Sequence, residues 1–162
     1  MKTNNESATK APQTAIIIKR KFSLPLSKVW QAWTDPQTFK KWWGPKEFSC
    51  PYCSIHLREG GTYFNAMRGP GGKDVWSTGV YKEIIPNQKI VYTDSFADNR
   101  GNIVAAGYYH MPDMPMELLV SISFKEEDGK TIMLLKHEGI PEQMRDECEK
   151  GWQSSFDKLE EI

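Results

Sequence analysis

Several things are scarce in this sequence, and each scarcity removes a class of protein. Neither charge is in surplus: 21 Lys and Arg balance 21 Asp and Glu over 162 residues. The basic excess that drives binding to phosphate backbones is therefore missing, and no nucleic-acid partner is expected. No apolar run approaches the roughly 18 residues a membrane span needs, and Met1 to Thr14 carries no hydrophobic stretch of the kind a secretion signal requires. Membrane insertion is not expected, and the cytoplasm is the expected address. The histidines number three, His56, His110 and His137, and they are dispersed, with no HExxH pair and no GxSxG elbow to supply a nucleophile. Internal repeats and low-complexity tracts are also lacking.

What is present fits one globular domain. The chain is 39% hydrophobic, 12% aromatic and 26% charged, and at this length close to 70% of the unfolded surface can be buried. Met1 to Thr14 is polar, includes Pro12 and has no periodicity, so residues 1–14 read as a solvated tail and 15–162 as the domain. Ile16, Ile17 and Ile18 open a strand that runs to Phe22, because branching at Cβ suits a pleated surface. From Leu26 the period changes to that of a helix, with Val29, Trp30 and Trp33 on one stripe. Asp35 and Pro36 then cap and start a second short helix, carrying Phe39, Trp42 and Trp43, which Gly44 and Pro45 stop.

Beyond Pro45 turn residues arrive at hairpin intervals. Gly60-Gly61 divides Ser54–Arg58 from Tyr63–Arg68, Gly69 to Gly72 divides the latter from Val75–Ile85, and Pro86-Asn87 precedes Ile90–Phe96. Leu118, Val120, Ile122 and Phe124 alternate with polar residues before Asp128-Gly129 turns the chain into Thr131–Glu138. Ala97 to Pro115 has no clear period and is long for a connection in a compact domain, which is how a lid reads. From Pro141 onward, Met144, Cys148, Trp152, Phe156, Leu159 and Ile162 fall within about 120° of a helical wheel, predicting an amphipathic helix of roughly 20 residues and 30 Å. Strands and helices are segregated rather than alternating. That order predicts an α+β fold, a seven-stranded antiparallel sheet with the terminal helix lying on it and a hollow where a curved sheet wraps a single helix.

Local runs add a resemblance. Leu57 to Gly61 (LREGG), Met67 to Pro70 (MRGP), Trp76 to Tyr81 (WSTGVY), Thr93 to Asp98 (TDSFAD) and Gly151 to Leu159 (GWQSSFDKL) are similar to those of the SRPBCC superfamily, the START-related helix-grip proteins. Within it they most resemble the branch related to the C-terminal domain of the activator of Hsp90 ATPase. The likeness spans about Ile16 to Ile162. It implies a curved seven-stranded antiparallel sheet gripping the long C-terminal helix, two short helices after the first strand, and a largely apolar cavity between. The scaffold serves lipid carriers, cyclases, hydrolase-like enzymes and co-chaperone modules, so it does not by itself choose a function. Two positions depart from the family's usual pattern: Asn65 stands where relatives often have an aromatic residue, and Tyr108 where this subgroup often has histidine, with His110 two positions on.

Several motifs invite chemistry that their surroundings do not support. Cys50-Pro51-Tyr52-Cys53 has the residues of a glutaredoxin site, but a strand rather than a helix N-terminus follows it and no βαβ unit is present. Two reduced cysteines at a strand entrance is the plainer reading. Zinc would need two further ligands, while His56 is three residues away and Cys148 belongs to a distant helix. Gly69 to Lys73 looks like a phosphate loop, but Asp74 occupies the magnesium-binding Ser/Thr position and no helix begins there, so a hairpin turn accounts for it. No cofactor and no metal are expected. His137, alternating with Met133 and Leu135, reads as a half-buried sheet residue with a hydrogen-bonded partner.

The excess of aromatic and methionine side chains is the strongest positive signal. Trp43, Tyr63, Met67 and Trp76 on the early elements, Phe96, His110 and Met114 around the long loop, and Trp152 and Phe156 on the terminal helix are the candidate walls of a binding site. Asn65, Thr78 and Ser155 are the candidate polar groups that would orient a ligand, their inward direction following from strand and helix parity. Three functions compete. The first is non-catalytic binding of a small, mostly hydrophobic molecule, a lipid or aromatic metabolite, admitted beneath the Ala97–Pro115 loop and packed in a cavity between the sheet and the C-terminal helix. The second is a co-chaperone-like module with a chaperone as partner, for which an N-terminal companion domain would be expected and is not found in this sequence. The third is an enzyme on a hydrophobic substrate using Tyr108, His110 or Asp113 with Asn65 polarising a carbonyl. Oligomeric state is left open.

Overall fold

The computed structural model describes residues 13–162. In chain order the elements are strand β1 (Gln13–Phe22), helices α1 (Leu26–Thr34) and α2 (Pro36–Trp42), strands β2 (Ser49–Ile55), β3 (Thr62–Arg68), β4 (Asp74–Ile85) and β5 (Lys89–Ala97), a 3-10 turn (Ala106–Tyr109), strands β6 (Leu118–Glu127) and β7 (Lys130–Pro141), a second 3-10 turn (Glu142–Met144) and helix α3 (Arg145–Leu159). The seven strands form one sheet in the order β1-β7-β6-β5-β4-β3-β2. Every neighbouring pair is antiparallel. This is the α+β arrangement the element order predicts, and the helix-grip fold the family resemblance implies.

Local chemistry explains the helices near the site. Asp35 accepts hydrogen bonds from the Thr38 backbone N–H at 2.9 Å and from the Thr38 hydroxyl at 2.8 Å, and Pro36 supplies the first helical residue of α2. Gly44, at φ +99°, turns the chain out of α2 with Met67 lying against it. On the other side of the sheet's span, Leu118, Val120, Ile122 and Phe124 of β6 and Met133 and Leu135 of β7 are buried on one face, as the alternation requires. Ile16, Ile18 and Phe22 of β1 join them, and Phe22 meets Phe156 of α3 edge-on at 6.0 Å.

The boundaries differ from expectation in three places. Gln13 and Thr14 are not tail but the start of β1, paired with Pro141 and Ile140; the expectation for Met1 to Pro12 lies outside the described residues. β2 covers 49–55 rather than 54–58, so the cysteine pair lies within the strand and His56 falls beyond its end. The terminal helix has 15 residues, about 22 Å long, not 20. It is shorter because Pro141 stays paired in β7 and Glu142–Met144 form a 3-10 turn first.

The long connection is not a loose lid. The Asp98 carboxylate accepts the backbone N–H of Arg100 and of Asn102, each at 2.9 Å, and Ile103 bridges back to Ala97. The Tyr109 hydroxyl donates to the Ala97 carbonyl at 2.5 Å and accepts the Trp76 backbone N–H at 3.1 Å.

Candidate functional site

The half of the sheet built from β2 to β5 curves away from the terminal helix, and α1 and α2 close the space it leaves. Antiparallel partners share a face, so the pairing of Cys53 with Asn65 and Ile55 with Tyr63 points those four side chains to the same side. They line a cavity together with Trp33 of α1, Phe39 and Trp43 of α2, Tyr81 of β4, and Ile90 and Tyr92 of β5. The void open to a water centre is about 20 Å³, room for roughly one ordered water. The hollow expected between the sheet and the terminal helix is thus found elsewhere: no α3 residue lines this cavity, because Trp152 and Phe156 pack into the core, and side chains nearly fill it.

Tyr63 owes its position to a glycine. A Cβ on Gly79 would come within 1.8 Å of the Thr93 carbonyl oxygen and 2.6 Å of the Tyr63 ring, so only glycine lets the ring lie across β4. The Tyr63 hydroxyl then sits 3.1 Å from the Thr93 carbonyl and 3.0 Å from the Asp94 carboxylate, with one proton to donate between them. Burial, with the nearby Asp94 charge adding to it, pushes the Tyr63 phenol well above its ordinary pKa. Burial likewise raises Tyr81 and Tyr92, and pushes the Cys53 thiol up to about 12. The neighbouring Cys50 thiol is pushed up to about 11 by its own burial. Neither cysteine is the low-pKa thiol a redox site uses, and both are free.

Against this apolar, uncharged wall three polar atoms stand out. The Oδ1 atom of Asn65 and the Nε1 atoms of Trp33 and Trp43 are buried and have no hydrogen-bond partner. Asn65 is only 2% exposed. The other two buried indoles nearby are satisfied, Trp42 donating to the Ala32 carbonyl at 2.8 Å and Trp152 to His137 Nδ1 at 3.0 Å.

A second void, of about 50 Å³, lies under the long loop, between Ser77, Asp94, Ser95, Phe96, Met114, Pro115 and Leu118. Beside it, His137 is buried on β7 and takes the Trp152 N–H on Nδ1, while its Nε2 lies 3.5 Å from Asp94 Oδ2. That is the hydrogen-bonded sheet histidine expected from the sequence. Its acceptor nitrogen is committed to Trp152, so it has no free base to offer a nucleophile.

The structure therefore divides the candidate residues. Trp43, Tyr63 and Asn65 line the main cavity, and Phe96 and Met114 line the void beneath the loop. Trp76 and Thr78 face the opposite, convex side of the sheet: they pair with Ala66 and Phe64, Trp76 stacks on Phe64 at 4.8 Å, and the Thr78 hydroxyl donates to the Tyr63 carbonyl at 2.7 Å. Met67 lies against Gly44 at the end of α2. His110 is exposed in the left-handed conformation at the end of a 3-10 turn.

Trp152, Ser155 and Phe156 are buried in the core beneath α3 and do not line the cavity. Tyr108, His110 and Asp113 are exposed while Asn65 is buried, so the arrangement required for polarising and attacking a carbonyl is not assembled. Trp33, Phe39, Cys53, Ile55, Tyr81, Ile90 and Tyr92 are the cavity residues that sequence reasoning missed. Their signal was present as helical and strand periodicity, which reads the same for wall and for core.

Access also differs from expectation. The partly exposed members of the wall are Trp43, Cys53 and Ile55, whereas the remaining members behind them, Phe39 of α2 included, are buried. The mouth lies between α2 and the edge strand β2, not beneath the Ala97–Pro115 loop.

The sequence model of the activator of Hsp90 ATPase homolog 1-like protein family matches residues 23–162. The chain belongs to this family. No curated protein matches it. Among solved structures, a protein from Chromobacterium violaceum is 27% identical with a TM-score of 0.75, over 91% of this chain and 94% of that one. One from Nitrosomonas europaea is 24% identical with a TM-score of 0.72, over 91% and 92%. The AHSA1 protein from Silicibacter pomeroyi is 22% identical with a TM-score of 0.71, over 91% and 96%. These likenesses support a shared helix-grip fold. No helix of the described residues is long and apolar enough to cross a membrane.

Proposed function

We propose that this family member binds a small, mostly apolar molecule in the cavity between β2–β5 and helices α1 and α2, without chemical conversion. The observation that carries the reading is the Asn65 side-chain carbonyl, buried and unpaired in an otherwise apolar enclosure. Folded proteins leave few such atoms without a partner, because burying an unpaired polar group costs about 1–3 kcal/mol. A ligand that pairs it recovers that cost, and apolar contact adds roughly 2.5 kcal/mol per 100 Å² of surface removed from water.

The space available to a water centre, about 20 Å³, makes side-chain displacement part of binding. Trp43 is the member to move: it is partly exposed, sits at the mouth and stacks only on Phe39 at 4.8 Å, with its edge contacts to Trp42 and Trp152 around it. The reading places the protein in the cytoplasm, where its three cysteines stay reduced. Titration with apolar and aromatic small molecules, followed by native mass spectrometry and tryptophan fluorescence, tests it. Retention of at least one compound by the wild type, weakened by Asn65→Ala, is expected. Retention of none, in the wild type and in a Trp43→Ala variant with a widened mouth, would end it.

A second reading has its own observation. Tyr52, Phe64 and Trp76 form a stack on the convex face, with ring centroids 4.8 to 5.8 Å apart and Tyr52 44% exposed. An exposed aromatic cluster of this kind suits a protein partner, and the family's name points to an Hsp90-type ATPase. Unchanged chaperone ATP turnover on adding the protein, with no complex on a sizing column, would dismiss that reading.

A further inference from the structure

We propose that the molecule this cavity takes is a small uncharged aromatic bearing a hydroxyl group, held by Asn65 and by the indole N–H groups of Trp33 and Trp43. The inference rests on the binding reading above and narrows it to a chemical class. Three arguments lead to it.

The first is hydrogen-bond arithmetic. Among its fully buried polar atoms the enclosure leaves one acceptor, Asn65 Oδ1, and two donors, Trp33 Nε1 and Trp43 Nε1, without a partner, on residues that line the same void. A hydroxyl both donates and accepts, so one hydroxyl satisfies the amide oxygen and an indole together. An ether or ketone accepts only and leaves Asn65 Oδ1 unpaired, and a hydrocarbon leaves all three atoms unpaired.

The second is charge. No Lys, Arg, His, Asp or Glu lines the void. Its ionisable members, Cys53, Tyr63, Tyr81 and Tyr92, are held neutral by burial. A carboxylate or phosphate would enter this wall with no counter-charge, which is far more costly than entering as a neutral group. Fatty acids and phospholipid head groups are thereby excluded, which narrows the broader expectation of a lipid.

The third is shape. Trp33, Phe39, Trp43, Tyr63, Tyr81 and Tyr92 present ring faces and edges from helices and sheet alike. They already pair with neighbouring rings at 4.8 to 6.1 Å, for example Trp33 with Trp42 and Tyr63 with Tyr92. A flat ring inserted among them makes the same edge-to-face contacts.

The test uses four probes that share a ring and differ in one group: 4-methylphenol, 4-methylanisole, toluene and 4-methylbenzoate. Each is titrated at pH 7 into the whole protein by fluorescence and calorimetry. The phenol is expected to bind about tenfold tighter than the anisole or toluene, the worth of one to two net hydrogen bonds, and the benzoate not to saturate. Asn65→Leu is expected to erase the preference for the phenol while leaving toluene binding in place. Trp43→Phe, at a partly exposed position, should reduce the preference several-fold and guards against a fold failure in the first variant. Equal binding of phenol and toluene would overturn the hydroxyl assignment while leaving an apolar site intact. Benzoate binding as tightly as the phenol would overturn the neutrality argument. If no probe is held, this inference falls, and the broader binding reading is decided by the wider panel tested on the wild type and Trp43→Ala.

Discussion

The two halves of the sheet are built from the same kind of strand and are finished differently. Where β1, β7 and β6 meet α3, packing is solid: Ile16, Ile18, Phe22, Val120, Ile122, Met133, Leu135 and Phe156 have essentially no exposed surface. Arg20 reaches across to Asp157 at 2.6 Å and to the Gln153 side chain at 2.9 Å, and Trp152 is tied to His137. Where β2 to β5 meet α1 and α2, aromatic rings almost close the interior but strand three polar atoms without partners. Among the described residues, the first half leaves a single buried atom unpartnered, His137 Nε2, 3.5 Å from the Asp94 carboxylate, whereas the second leaves three on residues around one cavity. Stability and binding are thus drawn from different ends of one sheet.

That contrast breaks or sharpens under substitution. The largest effect is expected in the solid half: Phe156→Ala should cost about 3–5 kcal/mol of unfolding free energy, measured by urea titration, because the cavity it leaves is walled by Phe22, Trp33, Trp42 and Trp152. A loss below about 1 kcal/mol would mean that the packing there is looser than it is drawn. Next comes Gly79→Ala, expected to cost about 2–4 kcal/mol, since the added Cβ meets backbone that cannot move aside. Its effect should appear in the hollow half first, as altered Tyr63 fluorescence.

Asn65→Leu carries the opposite sign. Removing an unpaired buried amide should raise the stability of the empty protein by about 1 kcal/mol while lowering affinity for hydroxyl-bearing probes. A loss of stability would show that Asn65 is satisfied in the folded chain, and the two halves would no longer differ.

The smallest effect concerns pH. With Cys50 raised to about 11 and Cys53 to about 12 by burial, alkylation by iodoacetamide near pH 8 should be far slower than for an unfolded control, and should climb with pH toward those values. The linked stability is present in full below the unfolded thiol value of about 9 and is lost as pH rises through the folded values. Rapid alkylation of both thiols at pH 8 would show the hollow half to be open.

The sequence made some of this plain and hid the rest for physical reasons. Asp35-Pro36 and the alternation Leu118 to Phe124 each have one solution, a capped helix start and a half-buried strand, and both stand as read. β3 and β4 do not, because aromatic residues sit on both of their faces. Tyr63 and Asn65 point inward while Phe64, Trp76 and Thr78 point outward, and only the pairing register separates them. Composition cannot choose a face when both are greasy. The long Ala97–Pro115 segment looked unstructured because its order comes from single contacts, such as the Tyr109 hydroxyl on the Ala97 carbonyl, which leave no periodic trace. Asn65 was legible as a polar residue in an apolar run, yet its lack of a partner is visible only when every neighbour has been placed.

Strand β2 forms one margin of the sheet and is bonded on a single side, to β3. Its register slips between Ser49 and Tyr52, and Pro51 within that slip contributes no amide proton. A wall anchored along only one seam can peel back without tearing the rest of the fabric, so amide exchange at Cys53 and Ile55 should outpace that of β6 by orders of magnitude and report the breathing of the doorway itself.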